Sequence, residues 1–160
     1  MRIRDLDPLH VFTLLMLTTA CGSKGGGSPP EATAVHAAKA LPVQLDAPKS
    51  AKVTTDDPDD FQLNWADGQV SVRKLSNPLA SGTLARAVEH FTTLEDRNIH
   101  QEQTADGWTA TSEETISGET VTNLIQHRKI GGEELECSGH GTGANRFQEV
   151  VLACKSLRPR

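Results

Sequence analysis

One stretch, FQLNWADGQVSVRKL, does most to limit how this chain can fold. Phe61, Leu63 and Trp65, then Val70 and Val72, alternate on either side of Asp67-Gly68. Period-two apolarity around Asp-Gly specifies two antiparallel strands joined by a tight turn, because this dipeptide tolerates the positive backbone angles such turns need. The same punctuation recurs at Asp106-Gly107, Ser117-Gly118 and Gly131-Gly132. From Ile99 to Cys137 it therefore predicts a four-strand meander. Its polar strands, HQEQT and WTATSEET, imply that one sheet face is solvated, with Trp108, Ala110, Val121, Ile125 and Leu135 directed toward helices.

Two segments change period. Leu84, Ala87, Val88, Phe91 and Leu94 recur at three and four, the stripe of an amphipathic helix, with Ser81 or Thr83 available as N-cap. After the SGHGTG loop, Phe147, Val150, Val151, Cys154 and Leu157 share a second helical face. The expectation is an α+β fold in which an antiparallel sheet packs against two helices, in the order ββαββββα.

The first fifty residues read differently. Val11 to Ala20 is apolar for ten residues, about half of what crosses a bilayer core of roughly 30 Å, and it follows Arg2 and Arg4. That is the pattern of a secretory signal over residues 1–20. GSKGGGSPPEATAVHAAKALP then lacks the periodicity of a packed segment, so residues 21–50 are expected to form a Gly/Ser/Pro tether and residues 51–160 a single domain. The residues LTTAC resemble the lipobox of bacterial lipoproteins. That resemblance implies cleavage before Cys21, lipidation of Cys21 and a membrane anchor. With Gly22 and Ser23 where inner-membrane lipoproteins tend to carry aspartate, it further implies the outer membrane of a Gram-negative envelope. The same residues also read as an ordinary cleavage site after TTA, with Cys21 an odd thiol. In element order alone, the domain is similar to the ββαβββα-type domains of Mog1 and PsbP relatives, some of which are lipoproteins.

Export bears on the two remaining cysteines. Cys137 and Cys154 form an even pair in a chain directed to an oxidising compartment, and a disulfide is the expected state, two buried thiols being the alternative. They lack the CxxC or paired-histidine spacing of a zinc site. Sixteen basic residues against 21 acidic ones, with no basic cluster, argue against nucleic acid.

Candidate sites are few. GHGTGA, residues 139–144, formally matches a dinucleotide fingerprint, but no further parallel strand and acidic partner follow it. What remains there is a possible anion site at the next helix's N-terminus, near His140 and Arg146. Asp56, Asp57, Asp59 and Asp60 lack the ligand spacing of a calcium loop and read as a solvated turn bent at Pro58. His90, His100 and His127 belong to no HExxH or GxSxG signature. The reading is a noncatalytic envelope lipoprotein without cofactor or metal. It meets the membrane through its anchor and an envelope partner or ligand through the sheet face or loops. The alternatives are a small thiol-active or hydrolytic periplasmic enzyme, with Cys137 beside His140, and a domain that captures a small ligand between helix and meander.

Overall fold

The computed structural model describes residues 31–76 and 83–160. The expected signal, Cys21, the Gly/Ser stretch to residue 30 and Ser81 lie outside the described residues. Strands β1 (Thr33–Ala37), β2 (Val43–Pro48), β3 (Lys52–Asp57), β4 (Asp60–Trp65) and β5 (Gly68–Lys74) precede helix α1 (Leu84–Thr93). Strands β6 (Arg97–Thr104), β7 (Gly107–Ile116), β8 (Glu119–Ile130) and β9 (Glu133–Thr142) then lead to helix α2 (Gly143–Lys155) and the two-residue β10 (Arg158–Pro159). The fold is α+β. Strands β3 to β9 form one seven-stranded sheet in the order β3-β4-β5-β9-β8-β7-β6, every neighbour antiparallel. A second sheet has the order β1-β2-β10.

The alternation around Asp67-Gly68 produces the hairpin it predicts. Trp65 faces Gly68 across Ala66 and Asp67, whose φ is 59°. A Cβ on Gly68 would lie 2.5 Å from the Trp65 indole nitrogen, so glycine lets the ring fold over the turn. Ser117-Gly118 and Gly131-Gly132 have positive φ at both positions and close the β7–β8 and β8–β9 hairpins.

Three expectations need correction. The tether does not extend to residue 50, because Thr33–Ala37 and Val43–Pro48 are paired strands and Leu41, Val43, Leu45 and Ala47 belong to the main core. The alternation of Val43, Leu45 and Ala47 between Pro42 and Pro48 is the signal for β2. Strand β9 does not stop at Cys137 before a loop; it continues through SGHGT to Thr142. Gly139 and Gly141 sit under α2, where a Cβ would meet the Gln69 carbonyl oxygen at 2.3 Å and the Phe147 nitrogen at 2.5 Å. Glycine here brings helix and strand together rather than loosening a loop. Finally, each face of the large sheet carries a helix. One face packs on α2 and the small sheet through Phe61, Leu63, Val70, Val72, Leu135, Val150 and Cys154. On the other face α1 lays Ala87 and Phe91 on Trp108 and Ala110, next to Ile125.

Helix α1 starts where the Thr83 hydroxyl accepts from the Arg86 amide at 3.3 Å. It ends at Leu94, followed by Glu95 at φ 59°. That stop leaves Leu94, expected on the packed stripe, 57% exposed. Helix α2 buries the expected face: Val150 and Cys154 are fully enclosed, with Phe147 and Val151 packed against the core. Cys137 and Cys154 are disulfide-bonded, with their Cα atoms 5.7 Å apart, tying β9 to α2.

The same helix buries a charge. Glu149 is 3% exposed, and its carboxylate accepts from the Trp65 indole N–H (2.9 Å), twice from Arg146 Nη1 (2.8 and 3.1 Å) and from the Glu31 backbone amide (2.9 Å). Helix α2, the β4–β5 hairpin and the start of the described chain thus meet at one carboxylate.

Candidate functional site

Strand pairing places alternate side chains of four strands in rows across the face that α1 shares, polar over β5 and β9 and largely buried where α1 covers β7. Gln69, His140, Asn123 and Ser112 form one row; Ser71, Ser138, Ile125 and Ala110 the next; Arg73, Glu136, His127 and Trp108 the third. Helix α1 covers only the β6–β7–β8 end of these rows. Small residues at the middle of the floor, Ser71 and Ser138, leave a groove of about 530 Å³ between the helix and β5, β9 and β8. Its helix wall is Arg86, Ala87, His90, Phe91 and Leu94. A hollow of about 340 Å³ adjoins it at Glu114 and His140 and runs to Ile116 and Ser117 at the β7–β8 turn.

The groove has a mixed helix wall, with Arg86 and His90 beside apolar Ala87, Phe91 and Leu94, and a hydrogen-bonding floor. Phe91, Trp108 and Ile125 form the base of the helix side, and Leu94 stands at the rim. On the floor, Arg73 donates to Glu136 at 2.7 Å, which neutralises the charge at that end. At the other end Asn123 donates to Glu114 (3.1 Å), and Ser112 donates to Asp96. His127 stacks on Trp108 with ring centroids 5.7 Å apart, and its Nε2 is 2.8 Å from Glu134. Between these pairs Ser71, whose hydroxyl donates to Asp60, and Ser138, Gln69 and His140 line the floor with hydrogen-bonding groups.

The anion site expected at His140 and Arg146 does not assemble. His140 projects into the groove, whereas Arg146 lies in α2, over the opposite face and against Glu149. His140 lies three positions after Cys137 in β9, so strand alternation puts them on opposite faces as well. With its sulfur bonded to Cys154, Cys137 offers no thiolate to a neighbouring histidine.

The remaining sequence candidates have structural roles. Asp56 accepts from the amides of Lys39 and Ala40, and Asp60 from Ser71 and Gln62, while Pro58 and Asp59 form the β3–β4 turn. Among the described residues, no group of three or more His, Cys, Asp or Glu could hold a metal ion. His90 is on the groove wall and His100 is exposed on β6. Among the described residues, no helix is long and apolar enough to cross a membrane. The groove itself is absent from any single sequence motif, because its floor is assembled from alternate residues of separate strands. A third hollow, of about 340 Å³ between the two sheets, has core side chains such as Leu41, Val43 and Leu135 for walls. The Lys74–Glu133 pair stands at that hollow and holds the Lys74 pKa above its ordinary value, chiefly through their hydrogen bond.

No protein-family model matches this chain, and no curated protein matches it in sequence. Among solved structures, the fold is similar to that of a point mutant of the protein Mog1. The TM-score is 0.50 at 9% identity, over 79% of this chain and 95% of that one. A Bacteroides thetaiotaomicron protein matches with a TM-score of 0.48 at 14% identity over 74% of this chain. Only 45% of that protein is covered, so this chain spans less than half its length. The Mog1 likeness is one of fold, consistent with the loose resemblance read from the sequence, although five strands rather than two precede α1 here.

Proposed function

We propose that this chain is an exported, noncatalytic binding module, held on a bacterial envelope by lipid at Cys21, which receives a ligand or a partner's segment in the groove beside α1. The observation that carries the binding reading is the groove itself: a helix wall in which Phe91 and Leu94 supply apolar surface beside Arg86 and His90, facing a floor of hydrogen-bonding side chains with the Arg73–Glu136 ion pair at one end. Such a surface provides area from the helix and orientation from the sheet. The anchor reading is supported by the ten-residue apolar run that ends at Ala20, just before Cys21, and by the disulfide, which suits an oxidising compartment.

Two measurements test the parts separately. A photo-crosslinking side chain at Leu94, on the groove rim, should capture a specific partner in cells, while one at Val53, exposed on β3, should not. Equal yields from both positions refute the groove as the binding surface. If the anchor reading is right, the intact mass of the membrane-extracted protein should begin at Cys21 with added acyl groups. Cys21→Ser should abolish both the acylation and the membrane association.

A further inference from the structure

We infer that the outer edge of β1 is a self-pairing surface, through which two copies of this chain join their small sheets into one antiparallel six-stranded sheet. Sheet edges are places where another strand can add, and proteins commonly block them with bulges or charges. Both edges of the seven-stranded sheet are blocked in this way. β3 is irregular between Val53 and Thr55, and β6 between Arg97 and His100, where Asn98 has φ 50°. β1 is not blocked. Its register with β2 is unbroken from Thr33–Pro48 to Ala37–Gln44, and among the described residues no strand pairs with its outer side.

The hydrogen-bond phase shows which groups the edge offers. The Ala38 amide donates to the Val43 carbonyl and the Lys49 amide to the Ala32 carbonyl, so the even-numbered residues are those that bond toward β2. Thr33, Val35 and Ala37 therefore turn their N–H and C=O groups outward. Three outward residues centred on Val35 form a self-complementary edge. A two-fold axis through Val35 sets it opposite its counterpart and each Thr33 opposite an Ala37. Val35 is 57% exposed, and its side chain lies on the solvent side of the sheet, where the axis brings the two valines together. A Val–Val pair there adds to the ladder.

Five-residue edges bury less than the roughly 1,000 Å² expected of a stable complex, so the dimer is transient in solution and covalent trapping is the suitable readout. Directly opposed hydrogen-bonded residues have Cα atoms about 5.5 Å apart, within disulfide range. The two Thr33 positions are about 14 Å apart along the strands, outside it. In the full chain, oxidation of Val35→Cys should therefore yield at least about tenfold more homodimer than oxidation of Thr33→Cys. Equal yields, no dimer, or an adduct of another mass would each overturn the inference. A second variant removes the ladder without relying on Val35 as a cysteine. Thr33→Cys/Ala37→Cys should trap the dimer through its crossed pairs, and adding Val35→Pro should abolish trapping. Proline removes only an outward N–H at this edge position, so thermal unfolding should be unchanged. Continued trapping by the proline variant would also overturn self-pairing.

Discussion

Replacing Glu149 by alanine tests whether the buried carboxylate is the joint that locks α2 to the rest of the domain. It is 3% exposed and accepts hydrogen bonds from Trp65, Arg146 and the Glu31 amide. Alanine would leave the Arg146 guanidinium, 16% exposed, without its carboxylate, and would strand the indole N–H in the core. Breaking a buried pair by removing one partner costs about 3–5 kcal/mol, chiefly because the other charge remains desolvated. That is a fifth or more of the roughly 5–15 kcal/mol that stabilises a typical domain. In urea, with a slope of about 1–3 kcal/mol per molar, the unfolding midpoint should fall by roughly 2 M. Glu149→Gln retains an acceptor for the indole and should lose distinctly less, about 1–2 kcal/mol. The assay is equilibrium unfolding with the disulfide intact, followed by both Trp fluorescence and far-UV dichroism to check that the transition is two-state. A Glu149→Ala midpoint within about 0.5 M of the wild type would refute the reasoning, since it would mean that Arg146 finds water or another acceptor without cost.

Reducing the Cys137–Cys154 bond, which closes 17 residues, should cost about 3 kcal/mol by chain entropy and lower the thermal midpoint by roughly 10 °C; a change under about 2 °C would contradict it. Gly107→Ala should destabilise more than Gly118→Ala. The first would put a Cβ 1.8 Å from the His127 carbonyl oxygen, at a cost of about 1–3 kcal/mol or more, whereas the second meets no neighbour and costs roughly 1 kcal/mol through its positive φ; paired urea titrations check the order. Asp106 is held below the ordinary carboxylate range, first by its hydrogen bond from Arg128. Because its folded pKa is depressed, its stabilisation is complete above the unfolded value of about 4 and disappears as pH falls through the lower folded one. Asp106→Asn should therefore be less stable than wild type at pH 7, by under about 1 kcal/mol at this half-exposed position, and the two should converge in acid. A gap that widens in acid would reverse the sign.

Local signals were strongest where chemistry and periodicity coincide. Asp67-Gly68 between alternating apolar runs located β4 and β5, and Ala87 with Phe91 located the buried stripe of α1. Val150 and Cys154 oriented α2, whereas Leu157, read onto the same face, is buried beyond the helix end at Lys155, and the disulfide followed from the cysteine count. What escaped was structure with unusual residues at its inward positions. β9 carries Gly139 and Gly141 where an ordinary strand would carry large side chains, so it reads as a loop. β3 is an exposed edge, KVTTDD, with little apolar alternation. β1 and β2 follow a Gly/Ser/Pro stretch whose composition masks the Val43–Leu45–Ala47 pattern. The groove was foreseen only as a general space between helix and meander. Its rows depend on register across β5, β9, β8 and β7, and register over four strands is a tertiary property that local periodicity does not encode.

The Glu31 contact has a mechanical consequence. Any pull on the chain before residue 31 enters the domain at an amide bonded to Glu149, while the Glu31 carboxylate accepts from the Ser50 amide and hydroxyl at 2.8 and 2.5 Å. The load then spreads into α2, through its disulfide to β9, and along the β1–β2 ladder. Helix α2 and the β1–β2 ladder lie on the side of the large sheet opposite α1 and the groove, and the disulfide alone leads on into β9, which helps to floor it. Tension would strain this clasp and peel β1 before it distorted the rows of side chains on the far face, so the groove can keep its shape while the domain is tugged.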